Sequence, residues 1–335
     1  MKFGLFGGAK SAGEGAIGDS LGYRKYIDYV LAAEELGYHS VFVVEHHFTG
    51  VGQLSASLNF LSYLAGRTQR MRLGTAVVVL PWHNPVLIAE QAATLDLLSG
   101  GRVDFGVGKG YRQAEFDGFC IPIAEATERF DEAMEIIRKA WTTPHDKNGG
   151  RFNHHGKRWH YDNIVVEPEP LQRPHPPLWL AAGSPDSIKR AAREGYNLLL
   201  DQLAQTDQII RRIKLFREEC KSAGRAYDPG MVATARPLQM IHSESERAAA
   251  YETRKRVLAT IGDLARDKLP DRVEDDTAPL LGTPGEVIAR LKELEAGGAT
   301  NILLVDPNAS VANLRAFARE VMPAFKPARA VAAAE

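Results

Sequence analysis

The stretch Arg72-Leu73-Gly74-Thr75-Ala76-Val77-Val78-Val79-Leu80-Pro81 decides the fold. From Ala76 to Leu80 every position is apolar, without the polar alternation of a strand that has one face in water. A strand of this kind is buried on both faces, as in a parallel sheet covered by crossover helices. Leu80-Pro81 ends it, because proline has no N–H to give to a ladder.

The sequence on either side repeats the pattern. Residues 2–6, 40–44, 72–79 and 103–106 read as the first four strands. Between and after them come helical stripes: Tyr26, Val30 and Ala33 before Gly37; a helix over about 54–67; Ile88, Ala92, Leu95 and Leu98; then Phe130, Met134, Ile137 and Trp141. The second half supplies strands near 177–181, 197–200, 232–241 and 301–305. Its helices are striped by Ile209, Ile213 and Phe216, by Val287, Leu291 and Leu294, and by Leu314, Phe317 and Val321. No motif recurs at a fixed period, which excludes a solenoid. The chain is expected to be α/β, a (β/α)8 TIM barrel forming one domain over 1–335. Two inserted segments interrupt it: a polar, aromatic, hairpin-like excursion near 148–170 and a charged loop near 266–279. Each reads either as a lid or as solvent-exposed decoration.

Charge narrows the partners. With 41 Lys and Arg against 42 Asp and Glu, the chain has no broad basic field for nucleic acid or an anionic membrane, which leaves a small molecule as the expected partner. Cys120 and Cys220 are too few for a disulfide framework and suit a reducing compartment. The start, Met1-Lys2-Phe3-Gly4-Leu5-Phe6-Gly7-Gly8, turns glycine-rich too soon for a signal peptide, and a cytoplasmic location is expected.

In a barrel of this type the chemistry sits at the C-terminal ends of the strands, which directs attention to Glu45, His46 and His47 after the second one. They read as a pocket cluster, with a hydrogen-bonded rim as the alternative. Adjacent histidines diverge from a strand end and no further ligands follow at metal spacing, so no metal is expected there. His154, His155 and His160 read as loop histidines rather than a zinc site. Gly13-Glu14-Gly15-Ala16-Ile17-Gly18 matches the dinucleotide fingerprint formally but stands too far from its strand, and reads as a loop. Gly106-Val107-Gly108-Lys109-Gly110, read as following the fourth strand, joins close backbone approach to a cation and is a candidate phosphate turn. Ala182-Gly183-Ser184-Pro185-Asp186-Ser187 opens a helix, and is either an anion site or an ordinary N-cap.

Taken together, Glu45-His46-His47-Phe48, the run 72–81 and Gly100-Gly101-Arg102-Val103-Asp104-Phe105-Gly106-Val107-Gly108-Lys109-Gly110 make the sequence resemble the bacterial luciferase-like flavin-dependent monooxygenases. The resemblance holds order and spacing through the first half, includes Gly183-Ser184, and weakens after about residue 200. It implies reduced flavin mononucleotide (FMN) as a dissociable cofactor, a separate NAD(P)H-dependent flavin reductase and a homodimer. It further implies that the flavin meets oxygen at its C4a carbon and that the resulting peroxide oxygenates a small organic substrate. By position, His46 matches the catalytic histidine beside the flavin and Glu45 its pocket neighbour. Ala76-Val77 matches a cis peptide under the ring system, and Lys109, Arg129, Ser184 and Ser187 match a phosphate cradle beside Gly183. Tyr111 and Arg112, next in the loop, read either as a wall for flavin or substrate or as surface residues. Gly108 stands where the luciferases carry a reactive cysteine, so light emission is not implied. Two alternatives accompany this reading: hydride transfer with the deazaflavin coenzyme F420, and a flavin-binding protein without turnover.

Overall fold

A computed structural model describes residues 1–50, 53–145, 149–261 and 273–325. In chain order its strands are β1 (Lys2–Gly7), β2 (Ser40–Val43), β3 (Arg72–Thr75), β4 (Val78–Val79), β5 (Val103–Gly108), β6 (Phe152–His155), β7 (His160–Ile164), β8 (Leu178–Ala181), β9 (Asn197–Leu200), β10 (Val232–Met240), β11 (Leu280–Gly282) and β12 (Asn301–Val305). All barrel pairings are parallel. β1 pairs with β2, β2 with β3, β3 and β4 with β5, then β8, β9, β10 and β12 follow, and β12 returns to β1. The sheet thus closes as the expected (β/α)8 barrel.

The register separates the two faces of each strand. Gly4, Ala235 and Leu303 stand at one level, and Leu303 belongs to the interior cluster with Phe42, Trp179, Leu199 and Ala233. Beneath that cluster Arg72 grips Asp104 with two hydrogen bonds, from Nε to Oδ2 at 2.7 Å and from Nη2 to Oδ1 at 3.0 Å, and Trp179 Nε1 donates to the same carboxylate. Phe6, Ala76 and Val77 cover the cluster's other end and are only partly buried. The interior therefore has a polar base, an apolar middle and an apolar floor at the mouth.

Ten helices are described: α1 (Gly15–Glu35), α2 (Ser57–Ala65), α3 (Pro85–Ser99), α4 (Gln113–Gly118), α5 (Ala126–Thr142), α6 (Pro185–Arg193), α7 (Thr206–Ser222), α8 (Glu244–Ile261), α9 (Pro284–Ala296) and α10 (Val311–Glu320). Local chemistry sets their ends. Asn84 accepts from Val86 N and Leu87 N ahead of Pro85, and α3 stops at Gly100, whose φ of 66° suits a residue without Cβ. On α3 the structure corrects the expected stripe, since Leu98 is exposed and Ala89, Ala93, Asp96 and Ser99 join Ile88, Ala92 and Leu95 on the buried face.

The third strand is also corrected. It is two pieces, β3 and β4, joined by a cis peptide between Ala76 and Val77. β5 runs on to Gly108, which places Gly106 and Gly108 inside a buried strand rather than in a turn after it. A Cβ at 106 would lie 1.9 Å from the Thr75 carbonyl oxygen, and one at 108 would lie 2.6 Å from Val77 Cγ2. These glycines make room for the crossing of β3 into β4, so the reading of them as a phosphate turn is replaced by a packing reason.

The excursion near 148–170 contains an antiparallel hairpin of β6 and β7. It lies along α5, where Glu132 accepts from Arg158 N, Trp159 N and His154 Nε2. Of the charged loop near 266–279, residues 266–272 lie outside the described residues, and Asp276 forms a buried 2.6 Å ion pair with Arg254. Arg236 of β10 is fully buried on the outer face of that strand and donates to the Ala204 carbonyl at 2.7 Å. No described helix is long and apolar enough to cross a membrane.

Candidate active site

Beyond β2 the chain stays tied to its neighbours: Val44 N donates to Gly7 O at 2.9 Å and His46 N to Leu54 O at 3.0 Å. This holds Glu45, His46 and His47 at the C-terminal rim. In an extended segment residues i and i+2 share a side. Accordingly His47 Nε2 donates to Glu45 Oε1 at 3.1 Å, while His46 between them reaches Glu115 on α4, Nδ1 to Oε1 at 3.0 Å. The carboxylate that supports His46 is therefore Glu115 and not Glu45. His83, just past the 3-10 turn Leu80–Trp82, gives Glu45 Oε1 a second hydrogen bond at 2.7 Å.

The two carboxyl groups impose opposite proton positions on adjacent imidazoles. Glu115 Oε1 also accepts the backbone N–H of His47 at 3.0 Å, so it presents lone pairs to His46 and Nδ1 carries the proton. Glu45 accepts at one oxygen from His47 and His83, which therefore carry their protons on Nε2. Glu45 is 4% exposed. Burial works to raise its carboxyl, but the hydrogen bonds and charges of His47 and His83 outweigh it and hold it below the usual carboxylate range. His46 lies below the usual imidazole range, first because it is buried and then because of the Arg112 guanidinium, against the opposing pull of Glu115 and Glu45. The balance favours the neutral ring over the cation.

An aromatic wall stands behind His47. Its ring meets Phe119 edge-on at 4.7 Å and Trp82 at 5.4 Å, and Trp82 stacks on Phe119 at 5.2 Å. Among the described residues no group of three or more His, Cys, Asp or Glu side chains is arranged to hold a metal ion.

The neighbouring strand completes the rim. Ala76 N donates to Val43 O at 2.7 Å, which seats the cis Ala76-Val77 peptide directly beside the end of β2. Across β5, exposed Lys109 donates from Nζ to Thr127 Oγ1 at 3.2 Å on the first turn of α5. Arg129, on the same turn, is paired with Glu125 at 2.9 Å. At the start of α6 the Ser184 hydroxyl caps Ser187 N and lies 2.8 Å from the Ser187 hydroxyl, behind buried Gly183. Arg190 of α6 reaches Asp131 on α5, so these two helices lie side by side. Tyr111 is 59% exposed, as its surface reading expects, and lies near the Arg112 guanidinium, 5.7 Å from ring centre to Cζ. Cations, hydroxyls and a helix N-terminus are donors of the kind a phosphate needs, and the apolar floor of Phe6, Ala76 and Val77 is the kind a flat ring system needs. The residues present thus fit a flavin mononucleotide.

A sequence model of the luciferase-like monooxygenases matches residues 1–301. The chain belongs to the luciferase-like monooxygenase family. Within the family, the oxygenase component of the flavin-dependent trigonelline monooxygenase of Acinetobacter baylyi is 26% identical over 332 residues, covering 90% of each chain. The uncharacterized protein y4vJ of Sinorhizobium fredii is 34% identical over 180 residues, covering 54% of this chain and 50% of that one. A second protein of that organism, y4wF, is covered to 56%, so the chain spans about half the length of these two relatives. Among solved structures, monooxygenase RslO1 from Streptomyces bottropensis superposes with a TM-score of 0.83 at 27% identity, covering 97% of this chain and all of that one. An FMN complex of the oxygenating constituent of 3,6-diketocamphane monooxygenase from Pseudomonas putida, at 19% identity, and an F420-dependent secondary alcohol dehydrogenase, at 18%, share the fold alone. Both have TM-scores of 0.76, so the fold does not choose between the two cofactors.

Two residues of the cluster, Glu115 and His83, escaped the sequence reading. The signal for Glu115 was an acidic residue beside Phe116 at the start of a six-residue helix, which has no periodic stripe to expose it. His83 lies in the capped turn before α3 and shares no motif with Glu45.

Proposed function

We propose that this protein is the oxygenase component of a two-component flavin-dependent monooxygenase, using reduced FMN and oxygen to oxygenate a small organic substrate. The observation that carries this reading is the barrel rim itself, where His46, held by Glu115 after β2, and the apolar floor of Phe6, Ala76 and Val77 stand on neighbouring strand ends tied by the Ala76 N to Val43 O bond. When bound, reduced FMN would supply the two electrons that activate O2, one atom of which passes to the substrate while the other leaves as water. Phe6, Ala76 and Val77 support its ring, and Lys109, Arg129, Gly183, Ser184 and Ser187 hold its phosphate, with Lys109 acting as a point charge where a guanidinium would be a fork. His46 is the catalytic residue and exchanges a proton through Nε2, Glu45 fixes the neighbouring imidazoles, and Tyr111 walls the mouth against water. Reducing equivalents come from a separate NAD(P)H-dependent flavin reductase, and the working form is a homodimer.

Anaerobic titration tests the cofactor. Reduced FMN is expected to bind and to resist displacement by reduced coenzyme F420, with Lys109→Met weakening it about tenfold, the size of one charge-assisted hydrogen bond. Preferential binding of F420, or no binding of reduced FMN, overturns the reading. Oxygen uptake across a substrate panel with a flavin reductase identifies the substrate, and light scattering reads the oligomer.

A further inference from the structure

The geometry points to Glu115 as a positioning residue that fixes the orientation and tautomer of His46. The inference rests on the proposed catalytic role of His46 only for its kinetic consequence, because the proton position follows from contacts within the chain.

Glu115 is 3% exposed and occupies the first turn of α4. One oxygen, Oε1, receives both His46 Nδ1 and His47 N, each at 3.0 Å. As a carboxylate, Glu115 offers only lone pairs, Oε1 already accepts the backbone N–H, and Nδ1 is then the donor. Among the described residues no hydrogen-bond partner falls on His46 Nε2, the nitrogen that an Nδ1–H tautomer leaves with its lone pair. In free imidazole the proton is mobile between the two nitrogens, and here a single carboxylate oxygen removes that freedom. The charged groups facing His46 are Arg112, Glu115 and Glu45. Of these only Glu115 touches the ring, and it is held 69 residues away in sequence by the packing of Phe116, which is fully buried against Trp82 at 5.4 Å.

Fixing Nδ1–H has a chemical consequence. It makes Nε2 a proton acceptor when the ring is neutral and a donor only after it has taken a proton. Glu115 favours that protonated form, whereas Arg112 and burial oppose it.

The test uses the full chain labelled with ¹⁵N-histidine, without cofactor. Long-range proton–nitrogen correlation spectra, with His46 assigned by the loss of its signals in His46→Gln, read the tautomer directly. Wild type is expected to show Nδ1–H at His46. Glu115→Leu should abolish that preference. Glu115→Gln keeps an acceptor for His47 N and should fold even where the leucine variant does not; it should retain Nδ1–H and titrate His46 at lower pH, because a negative charge is gone. A wild-type Nε2–H tautomer, or a His46 titration and tautomer unmoved in both variants, overturns the inference. With reduced FMN as the probe, the rate at which oxygen reoxidises the bound flavin should fall about 10²-fold in Glu115→Leu, the scale of a misplaced proton-transfer group, with its acid limb displaced in Glu115→Gln. If the tautomer responds and that rate does not, the function reading of His46 fails while the positioning by Glu115 stands.

Discussion

Replacing Gly106 by alanine tests why β5 carries glycine where β3 turns into β4. The added Cβ would stand 1.9 Å from the Thr75 carbonyl oxygen and 3.0 Å from its carbon, which are backbone atoms that no rotamer can clear. Thr75 also exchanges two hydrogen bonds with residue 106: its Oγ1 donates to Gly106 O at 2.7 Å and accepts from Gly106 N at 2.8 Å. Pushing the two backbones apart combines overpacking of about 1–3 kcal/mol with the loss of two bonds worth about 1 kcal/mol each, or about 3–5 kcal/mol in total. At about 2.1 cal/mol/K per residue the unfolding entropy is about 0.7 kcal/mol/K for 335 residues, so the midpoint should fall by about 4–7 °C. Gly108→Ala meets only a Val77 methyl, at 2.6 Å, which can rotate away, and should lose about 1–3 kcal/mol. Gly285→Ala, with nothing within 4 Å in the first turn of α9, should gain up to about 1 kcal/mol. Calorimetry and urea unfolding of the three variants rank them. A Gly106→Ala protein as stable as wild type would refute the close-approach argument.

Two further outcomes can be checked by denaturation. Glu45 has its folded pKa held below the ordinary value, so its contribution is present above the unfolded value of about 4.3 and is lost as pH falls through the folded one; the stability gap between wild type and Glu45→Gln should be widest near pH 7 and narrow below about pH 4.3. Arg102 donates to the carbonyls of Ala65, Thr68 and Met71 around the end of α2 and to Ser99 O, so Arg102→Lys, which loses the planar fork, should lower stability by about 2–4 kcal/mol in urea titrations, and a loss below about 0.5 kcal/mol would deny it that role.

The barrel was legible because each strand is a short apolar run and each helix carries a stripe, and those periods are properties of the local sequence. The break at Ala76-Val77 was not legible as periodicity, since three consecutive valines read as one continuous strand. Likewise Gly106 and Gly108 look like a turn when glycine is read locally. Their reason lies 31 residues earlier, in the Thr75 carbonyl and the Val77 side chain that cross over them. Glu115 and His83 were illegible for the same cause: neither belongs to a motif with Glu45-His46-His47, and only the closure of the barrel brings them to the same rim.

The sequence places Glu45 next to His46, and adjacency suggests that the carboxylate serves that histidine. Chain geometry inverts the assignment, because neighbours in an extended segment face apart and only alternate residues meet. Glu45 therefore finds His47, and His46 must take its carboxylate from another element, which α4 supplies as Glu115. The outcome is two adjacent imidazoles protonated on opposite nitrogens, each by its own buried carboxyl group. Exchanging their roles would require moving both carboxylates, so His46 and His47 are not interchangeable copies of one function. His47 is bonded at Nε2 by Glu45 and walled by Trp82 and Phe119, whereas His46 is held at Nδ1 by Glu115 and, among the described residues, no hydrogen-bond partner falls on its Nε2. That asymmetry, which sequence adjacency conceals, is the physical ground for assigning proton transfer to His46.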